Sequence, residues 1–138
     1  MLMSPRISPR RQAMDAAAVS IRMRDAQIRL DSAELQLGGD SPREWKHAAE
    51  IAVSAGIAAS DAACGRVLGY KIAAESHRDA VNASREASSA SVAKHLEVLI
   101  GAKSTQSYGD RLPTHADAER LVRHARRLVE AAEAILKS

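Results

Sequence analysis

The stretch LIGAKSTQSYGDR, residues 99–111, sets Lys103, Ser104 and Tyr108 at the end of an apolar helical pattern. A lysine there is a cation suited to a phosphate group, though as a point charge without arginine's planar fork. Tyrosine has an ordinary pKa of about 10, which makes it a poor base at neutral pH. A second polar set, ESHRDAV, starts a helix with Ser76 as its cap and puts His77 and Arg78 beside backbone N–H groups that favour anions. One reading joins the two sets into an anion pocket, with His77 supplying the proton transfer that position 108 lacks. The other makes His77 and Arg78 an ordinary exposed helix start, and Lys103 and Tyr108 a helix end that serves packing. Asp61 and Ser60 fall within the small-residue run AAEIAVSAGIAASDAACG, where at least partial burial obliges them to find partners. For Asp61 a structural hydrogen bond competes with a binding role.

Other chemistries find little footing. No set of His and carboxylates recurs at metal-ligand spacing, and Cys64, the only cysteine, excludes an intrachain disulfide and a Cys-rich metal site. Gly38 and Gly39 follow a helix and not a strand, so they form no phosphate-cradling loop, and no cofactor is expected. On the last helical segment Arg120, Arg123, His124, Arg126 and Arg127 alternate with Glu119, Glu130 and Glu133, a mixture that reads as a solvated face before a nucleic-acid track.

The elements that position these residues follow from composition and period. The chain has 138 residues, 46% of them hydrophobic but only 2% aromatic and none of them Phe, so Ala, Leu, Val and Ile must fill the core. That favours closely packed helices over a β-sandwich. A net charge of +3 is compatible with an anionic partner without requiring one, and residues 1–9 read as a basic, flexible tail ahead of a single domain over 10–138. No uninterrupted apolar run reaches the roughly 18–20 residues of a membrane span, and the N-terminus lacks a signal-peptide core, so a cytoplasmic protein without a membrane partner is expected.

The periodicity predicts five helices and no strand. The first runs from Ser8 to Leu37 and ends at Gly38-Gly39. Met14, Ile21, Ile28 and Leu35 mark one face at seven-residue spacing; Met23, Leu30 and Leu37 mark another, about 200° around. Two apolar faces need two covers, so Ile21, Met23, Ile28, Leu30, Leu35 and Leu37 are candidate interface residues, with one face on the domain and the other on a second protomer or partner. Ser41, Pro42 and Glu44 predict a capped second helix over Pro42–Leu68 that stops at Gly69. Its small residues all round place it centrally. The third helix is capped by Ser76 with Asp79, the fourth spans Ala90–Tyr108, and Thr114 with Asp117 opens an amphipathic fifth.

The order of these signals resembles the HEPN (higher eukaryotes and prokaryotes nucleotide-binding) superfamily in its compact, single-domain bacterial form. The likeness rests on AAEIAVSAGIAASDAACGRVLG, then SHRDAV, LEVLIGAKSTQSYGD and THADAERLVRHARRLVEAAEAIL, and covers roughly residues 10–137. It implies an antiparallel all-α bundle, a homodimer with its groove between protomers, and a toxin–antitoxin or defence setting in which RNA, a nucleotide or a cognate antitoxin or operon protein is the partner. Catalytic members are metal-independent ribonucleases with an Arg, four to six residues, then a His. Here Lys103 stands where that Arg would be, Ser104 at the polar residue beside it and Tyr108 where the His would be. Arg43–His47, Arg111–His115 and Arg120–His124 are each separated by three residues only, so the usual motif is absent. Two expectations follow: a divergent RNA-directed effector or phosphate binder using Lys103, Tyr108 and His77 with Arg78, Ser104 and Asp61, or a non-catalytic helical module that pairs with itself or a helical partner.

Overall fold

The computed structural model describes residues 10–73, 76–105 and 111–138, without the side chains of 104 and 105. Among these residues the elements are β1 (Arg11–Ala13), α1 (Ala16–Leu37), α2 (Pro42–Leu68), β2 (Tyr70–Ile72), α3 (His77–Ala87), α4 (Ala90–Thr105) and α5 (His115–Lys137). The protein is an all-α bundle, as its composition predicts.

α2 is the axis of the bundle, packed by α1, α3, α4 and α5. Ala48, Ala49, Ala52, Ala55, Ala58, Ala59 and Ala62 are all buried at 1% exposure or less, over about half of the helix circumference. Small side chains let the neighbouring backbones come close, and the larger Leu96, Leu99, Leu121 and Leu128 of α4 and α5 fill what remains. By length and composition α2 would also suit a membrane span, which a search for an uninterrupted apolar run passes over. Yet 61% of its most apolar window is buried inside the bundle.

Polar contacts fix the register of α1 against both neighbours. Arg22 donates to Asp61 and Arg29 to Ser54, so seven residues forward on α1 are seven back on α2. Gln27 donates to Glu133 and Arg126 to Glu34, giving the same antiparallel relation between α1 and α5. Between these two flanks Val19, Met23, Ala26, Leu30 and Ala33 point inward and are buried. Met23 and Leu30 are therefore core residues and not an interface, and Leu37 packs against that core. Ile21, Ile28 and Leu35 fall on the opposite side, 65%, 51% and 77% exposed. Of the two apolar faces, one is covered by the chain itself and the other is not.

The helix boundaries among the described residues follow their signals with one correction. α2 begins at Ser41, whose hydroxyl accepts from the Arg43 N–H at 3.1 Å and not from Glu44, and it ends at Gly69 with φ +83°, a left-handed conformation that suits glycine. Ser76 caps α3 by accepting from the Asp79 N–H, and Thr114 with Asp117 forms a reciprocal capping box on α5. Trp45 donates to the Gly39 carbonyl and meets His115 edge-on, tying the α1–α2 turn to the start of α5. The correction is that residues 11–13, expected to be helical, pair antiparallel with β2 in the register Arg11↔Ile72, Gln12↔Lys71 and Ala13↔Tyr70. Asp15 then caps α1, and Met14 lies before the helix, packed on the core. The described part of α4 runs to Thr105; its expected end at Tyr108, like residues 1–9, lies outside the described residues.

Gly56 shows how tight the axis is. A methyl group on it would overlap a Leu99 methyl and lie 3.1 Å from one of Leu128, both almost fully buried. Alanine in place of glycine gains about 1 kcal/mol of helix propensity, whereas overpacking a filled core costs about 1–3 kcal/mol. Gly56→Ala should therefore lower stability, by up to about 2 kcal/mol, as read by urea unfolding. A stabilised variant would show that α2 has slack.

Candidate functional site

α3 and α4 are joined through Ser88 and Ser89 and run side by side, so the first turn of α3 lies next to the last turn of α4. This brings a helix N-terminus, which favours anions, to a helix C-terminus that carries Lys103 in its last turn. Between this hairpin and α2 opens a cleft of about 450 Å³, lined by Asp61, Cys64, Ser76, His77 and Lys103 among polar and thiol groups, with an apolar floor that includes Ile57 and Leu96. Three of the residues singled out from sequence, Asp61, His77 and Lys103, thus share one cavity although they are far apart in the chain. His77 sits at the first helical position of α3, exposed, and Lys103 is exposed as well. Arg78 is exposed but does not line the cleft. Ser104 belongs to α4, but its side chain, like Tyr108, lies outside the described residues.

Asp61 is held in place from two directions. It accepts from the Arg22 guanidinium at 2.8 and 3.0 Å, and Lys71 Nζ stands 3.9 Å away. Burial pushes its carboxyl above the ordinary value, and Arg22 opposes that rise by hydrogen bond and by charge. Such a carboxylate is committed to cations of its own chain, which makes it a fixed negative wall and a poor acid or base. Cys64, on the next turn of α2, is buried, and desolvation together with the Asp61 charge pushes its thiol up to about 12. At neutral pH it is a thiol and not a nucleophile. The proton-transfer type left in the described lining is the imidazole of His77. No group of three or more His, Cys, Asp or Glu that could hold a metal ion occurs among the described residues.

Sequence reasoning did not foresee Cys64 and Ser60 in the lining, nor the Ile72 wall that β2 contributes. It also missed a pair outside the cleft. On the flank of α4 that faces α5, the Nδ1 atoms of His95 and His124 lie 2.9 Å apart, with ring centroids 5.1 Å apart. The signal was present: each histidine borders the apolar stripe of its helix, the position that meets the corresponding border of a neighbouring helix.

An all-α bundle with a polar-walled cleft between its axis and a helical hairpin is the class these features define. Comparison with protein families, curated proteins and solved structures finds no match for the chain.

Burial lowers the pKa of both histidines of the pair, helped by Arg127 at His95 and by His95, Arg120 and Arg123 at His124. The unfolded chain then binds more protons than the folded one as pH falls below the ordinary 6.5. Stability should be full above that value and decline as pH drops through the pair's lowered values. Thermal unfolding of the wild type and a His95→Gln/His124→Gln variant between pH 5 and pH 8 would check this, the variant showing the shallower decline. Parallel profiles would remove the pair as its source.

Proposed function

We propose that this protein is a HEPN-like binder of a phosphate-bearing ligand, RNA or a nucleotide, held in the cleft between α2 and the α3–α4 hairpin. The observation that carries the reading is the convergence of Lys103 and the N-terminal turn of α3, with His77, on one cavity. Lys103 and the positive end of the α3 dipole supply positive potential for the phosphate. Asp61, anchored by Arg22, rejects a second anion deeper in the cleft and accepts hydrogen bonds from a ribose or base. His77 is the acid–base group that lines the cleft beside a ribose hydroxyl so held. With Cys64 protonated and Asp61 tied, cleavage would rest on that imidazole, and binding is the larger part of the reading. The toxin–antitoxin or defence setting comes from the resemblance alone.

Exposed Ile21, Ile28 and Leu35 favour a second reading, a helical interaction module that pairs with its own copy. The stripe points directly away from the core of α1 and has seven-residue spacing, the seam of a two-helix contact. An antiparallel pairing with Ile28 on the twofold axis would set Ile21 against the partner's Leu35. Both readings share the dimer; they differ in whether the cleft is occupied.

Two measurements separate them. Fluorescence titration with single-stranded RNA and with a mononucleotide should show binding that Lys103→Ala weakens about tenfold, the worth of one charge-assisted hydrogen bond, with a smaller loss for His77→Ala. Affinities indifferent to both substitutions would leave the interaction module. Light scattering should give a dimer that Ile28→Asp converts to a folded monomer. A wild-type monomer in dilute solution would end the pairing reading.

A further inference from the structure

Two helical turns back from Lys103, about 12 Å along α4, a second polar cluster faces α5 and not α3. His95 and His124 share one inter-ring hydrogen bond, Nδ1 to Nδ1 at 2.9 Å. That contact dictates their protonation. One Nδ1 must carry a hydrogen and the other must accept it, so in the neutral pair one Nε2 is an N–H and the other a bare lone pair. Neither Nε2 has a hydrogen-bond partner among the described residues. A single added proton goes to the bare Nε2. It keeps the inter-ring bond intact and turns both Nε2 atoms into donors. A second proton would put hydrogens on both Nδ1 atoms and break the contact. The pair is built to hold one extra proton.

Burial first, and then the charges nearby, oppose that proton. The charged groups bearing on it are Arg127 at His95 and Arg120 and Arg123 at His124, all from α5. Besides the effect of His95 on His124 within the pair, no charged group of α1, α2, α3 or α4 among the described residues shifts either ring. Arg120 and Arg123 are exposed and have no ion-pair partner among the described residues. Arg127 has a loose pair with Glu130 at 3.9 Å, both largely exposed, whereas Arg126 is directed away to Glu34. Three guanidinium groups beside two half-buried imidazoles thus form a positive field, which Glu130 beside Arg127 and Asp117 near Arg120 offset only at its ends.

We propose that His95, His124, Arg120, Arg123 and Arg127 form an oxyanion site for a phosphate group, and that binding there takes one proton from solvent onto the histidine pair. The anion offsets the arginine field, which lets the bare Nε2 accept the proton, and the two Nε2–H groups then donate to it. The proton's source is water or buffer, and no covalent bond of the ligand is broken. This site is separate from the cleft that Lys103 lines, and it holds whether or not that cleft binds a ligand.

The probe is sulfate, which matches phosphate in shape and keeps its charge from pH 5 to pH 8. Histidine ring signals followed by NMR should move for His95 and His124 on adding sulfate, and the pair's pKa should rise. Affinity should increase about tenfold for each pH unit lowered within the window between the free and bound values, the slope of one proton taken up. Arg123→Gln, an exposed change that leaves the fold alone, should weaken binding, and His124→Gln should abolish its pH dependence. The response should persist in Lys103→Ala. Unmoved ring signals, affinity independent of pH, unaltered binding in Arg123→Gln, or a response lost with Lys103 would each overturn the proposal. Competition by a short single-stranded RNA, whose phosphodiesters do not titrate in this range, assigns the site to a nucleic-acid backbone; sulfate binding that RNA does not displace assigns it to a free oxyanion.

Discussion

Everything in this fold depends on how closely helices can approach α2. An axis of alanines with Gly56 among them offers neighbours a nearly smooth cylinder, so α1 and α5 dock with their own leucines and valines filling the depth. Dispersion falls steeply with distance, and a core poor in aromatics has to gain through many short contacts what it lacks in large side chains. The same closeness leaves the flanks of α1 near enough to α2 and α5 for the pairs Arg22–Asp61 and Arg126–Glu34 to form at 2.8 Å. Polar register and apolar packing are therefore one constraint expressed twice.

The cleft is a product of that arrangement. α2 is longer than the α3–α4 hairpin that covers part of it, and β2 closes the lower end through Ile72. Where the cover ends, the small surface of α2 leaves a cavity floored by apolar atoms and rimmed by the polar ends of α3 and α4. Asp61 marks the border between the two regimes: close enough to the bundle to need Arg22, close enough to the cavity to wall it.

Much of this was legible in the chain. Gly69, Ser76 and Thr114 with Asp117 announce helix ends by local chemistry, and local chemistry survives folding. The central place of α2 was legible because a helix that is small and apolar around most of its circumference needs neighbours around most of it. The two faces of α1 were visible as two seven-residue series, but which of them is inward was not. That choice is made by Arg22 and Gln27, whose partners are 39 and 106 residues away. The strands were hidden for a different reason. Arg-Gln-Ala and Tyr-Lys-Ile are three residues each, too short for a period to be read, and each is extended because the other is beside it. For the site, residue types pointed to His77, Lys103 and Asp61; their meeting in one cavity required the hairpin geometry. The His95–His124 contact was lost because each histidine, taken alone, is an unremarkable border residue.

The small strand pair has a bearing on the order in which this molecule can assemble. Arg11 and Ile72 are joined across most of two long helices, a loop whose closure would cost considerable entropy in an unfolded chain. Once α1 and α2 have zipped together antiparallel, that loop has already been closed, and the chain ends that form β1 and β2 are delivered to each other. The ladder is thus a latch that shuts only after the helical hairpin behind it has formed. Because Ile72 is a wall of the cleft and Lys71 reaches Asp61, that wall takes its final shape only when the latch has closed.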